Sequence, residues 1–343
     1  MQLGVDDRQL LVCPRCRSQQ GASTLTVGPI GRQSGDYLLE GLLVCQGCNC
    51  RYPVVDGVPI ILKDMADWWQ RNRIVFDRTD TLSAPLTGYF RDLDQYDPAE
   101  QSGRNLLSVY MDAHYGSTVP PSGLSDSHEY WSAILAFTKD DEPSGRLSLD
   151  LGCAVGRYTF EQAKCCEFAV GLDLNVELVT AAARIQRSRQ IRYSRRQRGR
   201  VFTEIEFDYP AADNVLFLVG DALDPPFAAE SFDRVAGLNL LDNVTIPLIL
   251  IGQMDALLKP GGQLLLGSPY EWQSAICTPA EWLETPDLDA TAFITRLLSG
   301  QLLPPMQLDY RAIRTLSAVP WTLRQHERHW QTYLVDIVKA RKR

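Results

Sequence analysis

The stretch Leu147-Ser148-Leu149-Asp150-Leu151-Gly152-Cys153-Ala154-Val155-Gly156-Arg157 constrains this chain more than any other. An apolar run ends on an acid, a turn carries Gly152 and Gly156, and a helix-like segment runs from Tyr158 to Cys166. The pattern predicts a strand, a glycine turn and a helix start. Glycine lets the backbone come close to a ligand, and a helix start presents unpaired N–H groups. Dinucleotide enzymes use a related turn, but with three glycines that admit a pyrophosphate. Only two stand here, so the downstream sequence decides which ligand the turn serves.

From residue 145 onward, strand-like and helix-like segments alternate, which predicts a mostly parallel sheet with helices on both faces. The second strand, Phe168 to Leu172, ends at Asp173, twenty-three positions after Asp150. A carboxylate at that tip can accept both hydroxyls of a ribose. A third strand, Val215 to Val219, runs into Gly220-Asp221-Ala222. A fourth, Phe232 to Leu238, runs into Asn239-Leu240-Leu241-Asp242-Asn243. A helix reaching Lys259 is stopped by Pro260-Gly261-Gly262, and a fifth strand follows from Gln263 to Gly267. Ligands of such sheets bind over the C-terminal strand ends, where these polar residues gather.

This order resembles the class I S-adenosylmethionine-dependent methyltransferases over about residues 145–343. Asp150-x-Gly152-x-x-x-Gly156 matches their first motif, and Asp173 matches their ribose-binding acid. Gly220-Asp221-Ala222 matches the residues that contact adenine, while "FDRVAGLNLLDNV" and "LLKPGGQLLL" match the fourth-strand motif and the turn into strand five. The resemblance implies S-adenosylmethionine as cofactor, held by Asp150, Gly152, Cys153, Gly156, Asp173, Leu174, Asp221, Ala222 and Asn239. A narrower resemblance links "DLGCAVGRYTFE", "GSPYEWQSAICTPAEWL" and "VPWTLRQHERHWQTYLVDIVKARK" to the methyltransferases of ovothiol synthesis, which methylate a mercaptohistidine imidazole. It implies a small amine- or imidazole-type acceptor. Methyl transfer is an in-line displacement, so alignment is the protein's main task, and a base is needed only for a protonated nucleophile. The candidate catalytic residues are Asn239, Asp242, Tyr270 and His326, with Trp272 and His329 beside them.

Cys13-Pro14-Arg15-Cys16 and Cys45-Gln46-Gly47-Cys48 are two CxxC knuckles with 28 residues between Cys16 and Cys45. They supply Cys13, Cys16, Cys45 and Cys48 as four thiolates for a tetrahedral zinc. A closed shell with no nearby histidine makes the site structural, and so short a segment needs such a staple to fold. Cys50 is a spare thiol. The following "YPVVDGVPIIL" breaks at Asp56-Gly57, a hairpin signal. Residues 8–63 resemble the small zinc-ribbon proteins that serve as activator subunits of tRNA, rRNA and translation-factor methyltransferases; here the ribbon is fused to its partner.

The expected architecture is α/β: a Rossmann-like seven-stranded methyltransferase sheet at 141–343, a zinc ribbon at 1–63, and a helical connector or lid at 64–140. Within the connector, Met65–Trp69, Asn105–Met111 and Ser127–Phe137 read as helices and Ser117–Ser127 as a loop. Tyr110, Tyr115, Tyr130 and Trp131 serve either as core or as the inner face of a lid. Nine cysteines without an export signal suit reduced thiols in the cytoplasm, and no apolar run is long enough to span a membrane. A net charge of −8 argues against a surface made wholly for nucleic acid. Against that, arginines crowd from Arg184 to Arg200, as a solvated helix face or as a site for an anionic partner. Cys165-Cys166 read as buried thiols of an amphipathic helix. The favoured function is methyl transfer to nitrogen or sulfur of a small molecule. The alternatives are an RNA or protein methyltransferase, using the ribbon and the arginines, and a non-catalytic scaffold that binds S-adenosylmethionine.

Overall fold

The computed structural model describes residues 10–17, 23–65, 68, 98–116, 127–139, 147–302 and 308–343. The first part of the chain holds one helical turn, α1 (Pro14–Arg17), and strands β1 (Leu25–Ser34), β2 (Tyr37–Cys45), β3 (Arg51–Val55) and β4 (Val58–Pro59). They form an antiparallel sheet in the order β1-β2-β3-β4. The Asp56-Gly57 signal closes the β3–β4 hairpin, with φ of 48° and 80° at the two residues, as a two-residue turn matched to strand twist requires.

Helices α2 (Pro98–Tyr115) and α3 (Ser127–Thr138) precede the large sheet. That sheet is built from β5 (Leu147–Leu151), β6 (Phe168–Asp173), β9 (Val215–Val219), β10 (Phe232–Leu238), β11 (Leu258–Ser268), β12 (Tyr310–His326) and β13 (His329–Lys342). Their order is β12-β13-β11-β10-β5-β6-β9, parallel from β11 to β9 and antiparallel through the β12–β13 hairpin. Helices α4 (Arg157–Ala163), α5 (Val176–Ser188), α6 (Pro247–Leu257) and α7 (Ala290–Leu298) complete the layers. All five residues of β9 are buried, as expected of a parallel strand covered on both faces.

Two expectations are corrected. Helix α4 ends at Ala163, where the Cys165 amide bonds back to the Gln162 carbonyl and closes the last turn. Cys165 is therefore exposed and Cys166 half-buried, outside any helix. The arginine run is not one helix face either. Arg189 caps α5 in the left-handed conformation at φ 58°, and the chain leaves as the hairpin β7 (Gln190–Arg198) and β8 (Val201–Asp208). Helix Met65–Trp69 falls mostly, and loop Ser117–Ser127 almost wholly, outside the described residues.

Five of the eight arginines of the run pair with carboxylates of the protein. Arg184 and Arg187 bond Asp56 of the ribbon hairpin at 3.0 and 2.9 Å, and Arg189 pairs with Asp213. Arg192 pairs with Glu206 at 2.7 Å and Arg195 with the buried Asp112 of α2 at 2.6 Å. Tyr193 donates to the same Asp112 carboxylate at 2.7 Å, and the Arg196 amide donates to Ser108 at 2.8 Å. The Glu327 amide, at the tip of β12–β13, donates to the Gln197 carbonyl at 3.0 Å. The inserted hairpin thus ties α2 to the last hairpin of the sheet.

The ribbon closes the free edge of the sheet. Ile60 pairs in parallel with Val219, and the Ile61 amide donates to the Val219 carbonyl at 2.9 Å. The Val12 amide donates to the Pro226 carbonyl at 2.9 Å, and Arg17 reaches the Pro225 carbonyl and the Asp224 carboxylate. One apolar cluster joins Leu11, Leu25, Leu43 and Ile61 of the ribbon to Leu172, Leu218 and Phe227 of the sheet. An exposed strand edge invites foreign pairing, so this cover protects β9. Among the described residues, no helix is long and apolar enough to cross a membrane.

Candidate active site

Two sites emerge. In the ribbon, the sulfurs of Cys13, Cys16, Cys45 and Cys48 all lie within 4.8 Å of one another. Cys13–Cys48 and Cys16–Cys45 are each 3.6 Å apart. A tetrahedron of sulfurs about 2.3 Å from zinc has edges of about 3.8 Å. The Gly47 and Cys48 amides point at the Cys45 sulfur at 3.3 and 3.4 Å, and the Tyr52 hydroxyl meets the Cys13 sulfur at 3.1 Å. Such outer donors steady a thiolate ligand. The donor set fits a structural zinc. Cys50 stands outside it, 3.7 Å from the Arg15 guanidinium.

The second site is a cavity of about 740 Å³ over the C-terminal ends of the sheet. Over β5, β6 and β9 it is lined by Asp150, Gly152, Cys153, Asp173, Leu174, Asp221 and Ala222. Over β10, β11 and the β12–β13 hairpin it is lined by Asn239, Asp242, Glu271, Trp321, Gln331 and Tyr333. Tyr110 and His114 of α2 and Trp131 of α3 also face it. Tyr115 and Tyr130 are core instead: Tyr115 donates to the Val155 carbonyl at 2.8 Å, and Tyr130 is fully buried with its hydroxyl 3.0 Å from Asn239 Nδ2.

The glycine turn explains its own residues. Gly152 has φ +72°, and a Cβ there would stand 3.0 Å from the Leu240 side chain. Gly156, at φ +83°, precedes α4, and a Cβ there would stand 2.6 Å from Phe217. Gly156 lets the turn pack down onto the sheet; it does not line the cavity. Asp173 steadies the turn from the next strand, one oxygen accepting the Ala154 amide at 2.9 Å and the other the Asn175 amide at 2.8 Å. Asp150 is buried and accepts from Thr159 at 2.7 Å. Burial pushes its carboxyl up to about 7, against the Thr159 bond. Burial also raises the Asp173 carboxyl and lifts the Cys153 thiol well above its ordinary value. One Asp221 oxygen accepts the Leu223 amide at 2.8 Å, and Leu174 keeps 54% of its surface exposed.

On the other half, Asn239 takes the unusual φ of +54°, and its amide donates to the Gly267 carbonyl at 2.7 Å. Asp242 is buried, with one oxygen accepting from Ser268 at 2.9 Å and the other from the Glu271 amide at 3.1 Å. Both its oxygens are engaged in shaping the exit from β11, where Tyr270 has φ +55°. Tyr270 and His326 do not line the cavity. Past β11, Pro269, Glu271 and Gln273 face the cavity, while Tyr270, at its left-handed turn, packs against Trp272 and accepts from Thr291 at 3.0 Å. Neighbouring positions of extended chain point to opposite sides. Along the extended β12, Trp321, Leu323 and Gln325 face it, while His326 ends the strand and accepts the Arg328 amide at 3.2 Å. His329 and Trp272 also lie outside the lining.

Sequence reasoning missed His114, Glu271 and Trp321. Leu106, Val109, Tyr110 and His114 share one helical face at spacings of three and four, a signal that could have placed His114. The odd-numbered alternation through Pro269–Gln273 and Trp321–Gln325 could have exposed the other two.

Residues 149–266 match the family described as "Methyltransferase domain", and residues 9–57 match "Trm112p-like protein". The chain carries a methyltransferase domain and, ahead of it, a Trm112p-like domain. This methyltransferase uses S-adenosylmethionine, and its Trm112p-like domain carries the four-cysteine cluster. Solved structures similar to it include the complex between the Haloferax volcanii Trm112 methyltransferase activator and a methyltransferase, at 17% identity over 71% of this chain and 95% of that chain, TM-score 0.40. Another is a SAM-dependent methyltransferase of Methanosarcina mazei, at 19% identity over 60% of this chain and 96% of that chain, TM-score 0.40. A third is the N-methyltransferase NodS of Bradyrhizobium japonicum WM9, at 14% identity over 63% of this chain and 94% of that chain, TM-score 0.40. No curated protein matches the chain.

Proposed function

We propose that this methyltransferase acts on a nitrogen or sulfur of a small amine- or imidazole-type acceptor. The observation that carries the reading is the charge of the cavity. Asp150, Asp173, Asp221, Asp242 and Glu271 line it, and no lysine or arginine does among the described residues. A phosphate-bearing acceptor would meet only negative charge there, whereas an amine meets a complementary field. Tyr110, Trp131, Trp321 and Tyr333 add aromatic faces, which attract cations and flat rings. Five arginines of the run, Arg184, Arg187, Arg189, Arg192 and Arg195, are engaged by carboxylates of the protein itself.

S-adenosylmethionine supplies a methyl group already activated on a sulfonium. The half of the cavity over β5, β6 and β9 is suited to hold it. Asp173 keeps lone pairs for the ribose hydroxyls beyond its two backbone bonds, and Asp221 keeps one oxygen for the adenine amino group. Leu174, Leu178, Ala222 and Val244 offer apolar surface to the flat base. Asn239 stands between the halves, its side chain fixed on Tyr130. Asp242, with both oxygens occupied, orients the acceptor wall and leaves proton removal to solvent.

Asp173→Ala is expected to weaken S-adenosylmethionine binding by about 1–3 kcal/mol through loss of charge-assisted hydrogen bonds, roughly 5- to 150-fold in Kd. Calorimetric titration checks this, and an unchanged Kd would place the ribose elsewhere. The acceptor class is tested by incubating the enzyme with methyl-labelled S-adenosylmethionine and an extract of its source, then separating small molecules, RNA and protein. Label in the small-molecule fraction is expected. Label confined to RNA or protein overturns the reading.

A further inference from the structure

The acceptor half of the cavity contains polar atoms that the protein leaves unpaired. His114 Nδ1, Trp321 Nε1 and Asn239 Oδ1 are buried without a hydrogen-bond partner, and all three residues line the cavity. His114 and Trp321 keep only 8% and 7% of their surface. Buried polar groups are normally paired, and each one left unpaired costs about 1–3 kcal/mol. Three in one wall point to a ligand that completes them.

The three belong to one continuous wall. The His114 ring lies 5.0 Å from Trp131, Trp131 lies 5.1 Å from Tyr130, and Tyr130 lies 5.7 Å from Trp321. The Tyr130 hydroxyl, 3.0 Å from Asn239 Nδ2, fixes that amide with its oxygen uncommitted. Burial and the nearby Arg157 charge hold His114 down at about 3, so its imidazole is neutral and Nδ1 can accept a hydrogen bond. At the mouth stands Glu271, exposed, its backbone held by Asp242 and its carboxylate touching the Tyr333 hydroxyl. The wall therefore offers acceptors at His114, Asn239 and Glu271, and one donor at Trp321.

Building on the small-acceptor reading, we propose that the acceptor is a carboxylate-free organic cation. Its ammonium group sits against Glu271, its N–H groups donate to His114 and Asn239, and one lone pair accepts from the Trp321 indole. A carboxylate on the same molecule finds no basic lining residue among those described and faces Glu271 and the aspartates. The class is that of amines carrying a nitrogen-containing or aromatic ring, without the acid group of the parent amino acids. The wall selects them by the hydrogen bonds it lacks and by the charge it would repel.

The test uses the full chain saturated with S-adenosylhomocysteine. Histamine and tyramine are titrated beside their carboxylated counterparts histidine and tyrosine, by calorimetry and thermal shift. At least one amine is expected to bind, ten-fold or more tighter than its counterpart. Glu271→Gln is expected to weaken that amine about ten-fold, and Trp321→Phe several-fold, with the affinity for S-adenosylhomocysteine unchanged. Equal or tighter binding of the carboxylated member overturns the proposal, and so does an unchanged affinity in Glu271→Gln. Absence of binding by every amine also counts against it. Failure of the broader small-acceptor reading shows separately, as label in RNA or protein in the transfer experiment.

Discussion

Cys45→Ser is expected to strip zinc from the ribbon and to destabilise the catalytic sheet along with it. Structural zinc sites supply roughly 10–16 kcal/mol of binding free energy that is also folding free energy. Here that energy reaches beyond the ribbon. Cys13, Cys45, Tyr52 and Ile61 belong to the same apolar cluster as Leu172, Leu218 and Phe227. The ribbon also supplies the backbone partners of Val219 and Pro226. Losing even a few kcal/mol from a unit of this size lowers Tm by roughly 10 °C or more, at about 2–4 °C per kcal/mol. The uncovered edge of β9 should then promote aggregation. Zinc content by plasma emission, the melting curve and light scattering on the full chain check the result. A variant that loses zinc yet keeps its Tm would show that the ribbon rests on its hairpins alone.

Between pH 4 and pH 7 the cofactor-free enzyme is expected to lose stability, with Asp150 the chief cause. Burial raises its carboxyl to about 7, opposed by the Thr159 hydrogen bond. An unfolded chain ionises aspartate near 3.9. Within that window the folded state holds more protons than the unfolded one, so stability falls as pH rises. The contribution is fully present below about pH 4 and is lost as pH climbs through about 7. At about 1.4 kcal/mol per unit, the loss amounts to no more than about 4 kcal/mol. Asp150→Asn keeps the shape and can still accept from Thr159. It should therefore be more stable than the wild type at pH 8, by up to that amount, and no more stable at pH 4. Asp173 and Asp242 are shifted upward by burial too, so the variant should retain a shallower slope in the same direction. Urea unfolding at unit steps from pH 4 to pH 8 decides it. Parallel slopes in both proteins would assign the dependence to other groups.

Several parts of the candidate site's local structure were legible from local rules. A glycine turn between a strand and a helix needs only neighbouring residues to specify it, and Gly152 at φ +72° with Asp150 and Asp173 beside it matches that expectation. The two CxxC knuckles carry their own geometry, and their four sulfurs come together as the spacing requires. Two candidate residues lie off the cavity for different reasons. His326 ends an extended strand, which sends adjacent side chains to opposite sides, and Tyr270 sits at a left-handed turn just after β11. A motif marks the segment, whereas the register of the strand marks the residue.

The arginine run shows the other limit. Its composition suited either a helix face or a binding surface, and β-pairing depends more on partners than on intrinsic preference. Those partners, Asp56, Asp112, Glu206 and Asp213, come from three separate regions of the chain. The glycine turn, the acidic strand tips and the four-cysteine cluster were readable in advance, because each is set by residues close together along the chain. The cover of β9 by the ribbon, the pairing of five arginines with carboxylates, and the shared wall of His114, Trp321 and Glu271 come from the folded chain. Those outcomes depend on contacts between residues 60 and 219, 112 and 195, or 130 and 321, which no local pattern encodes.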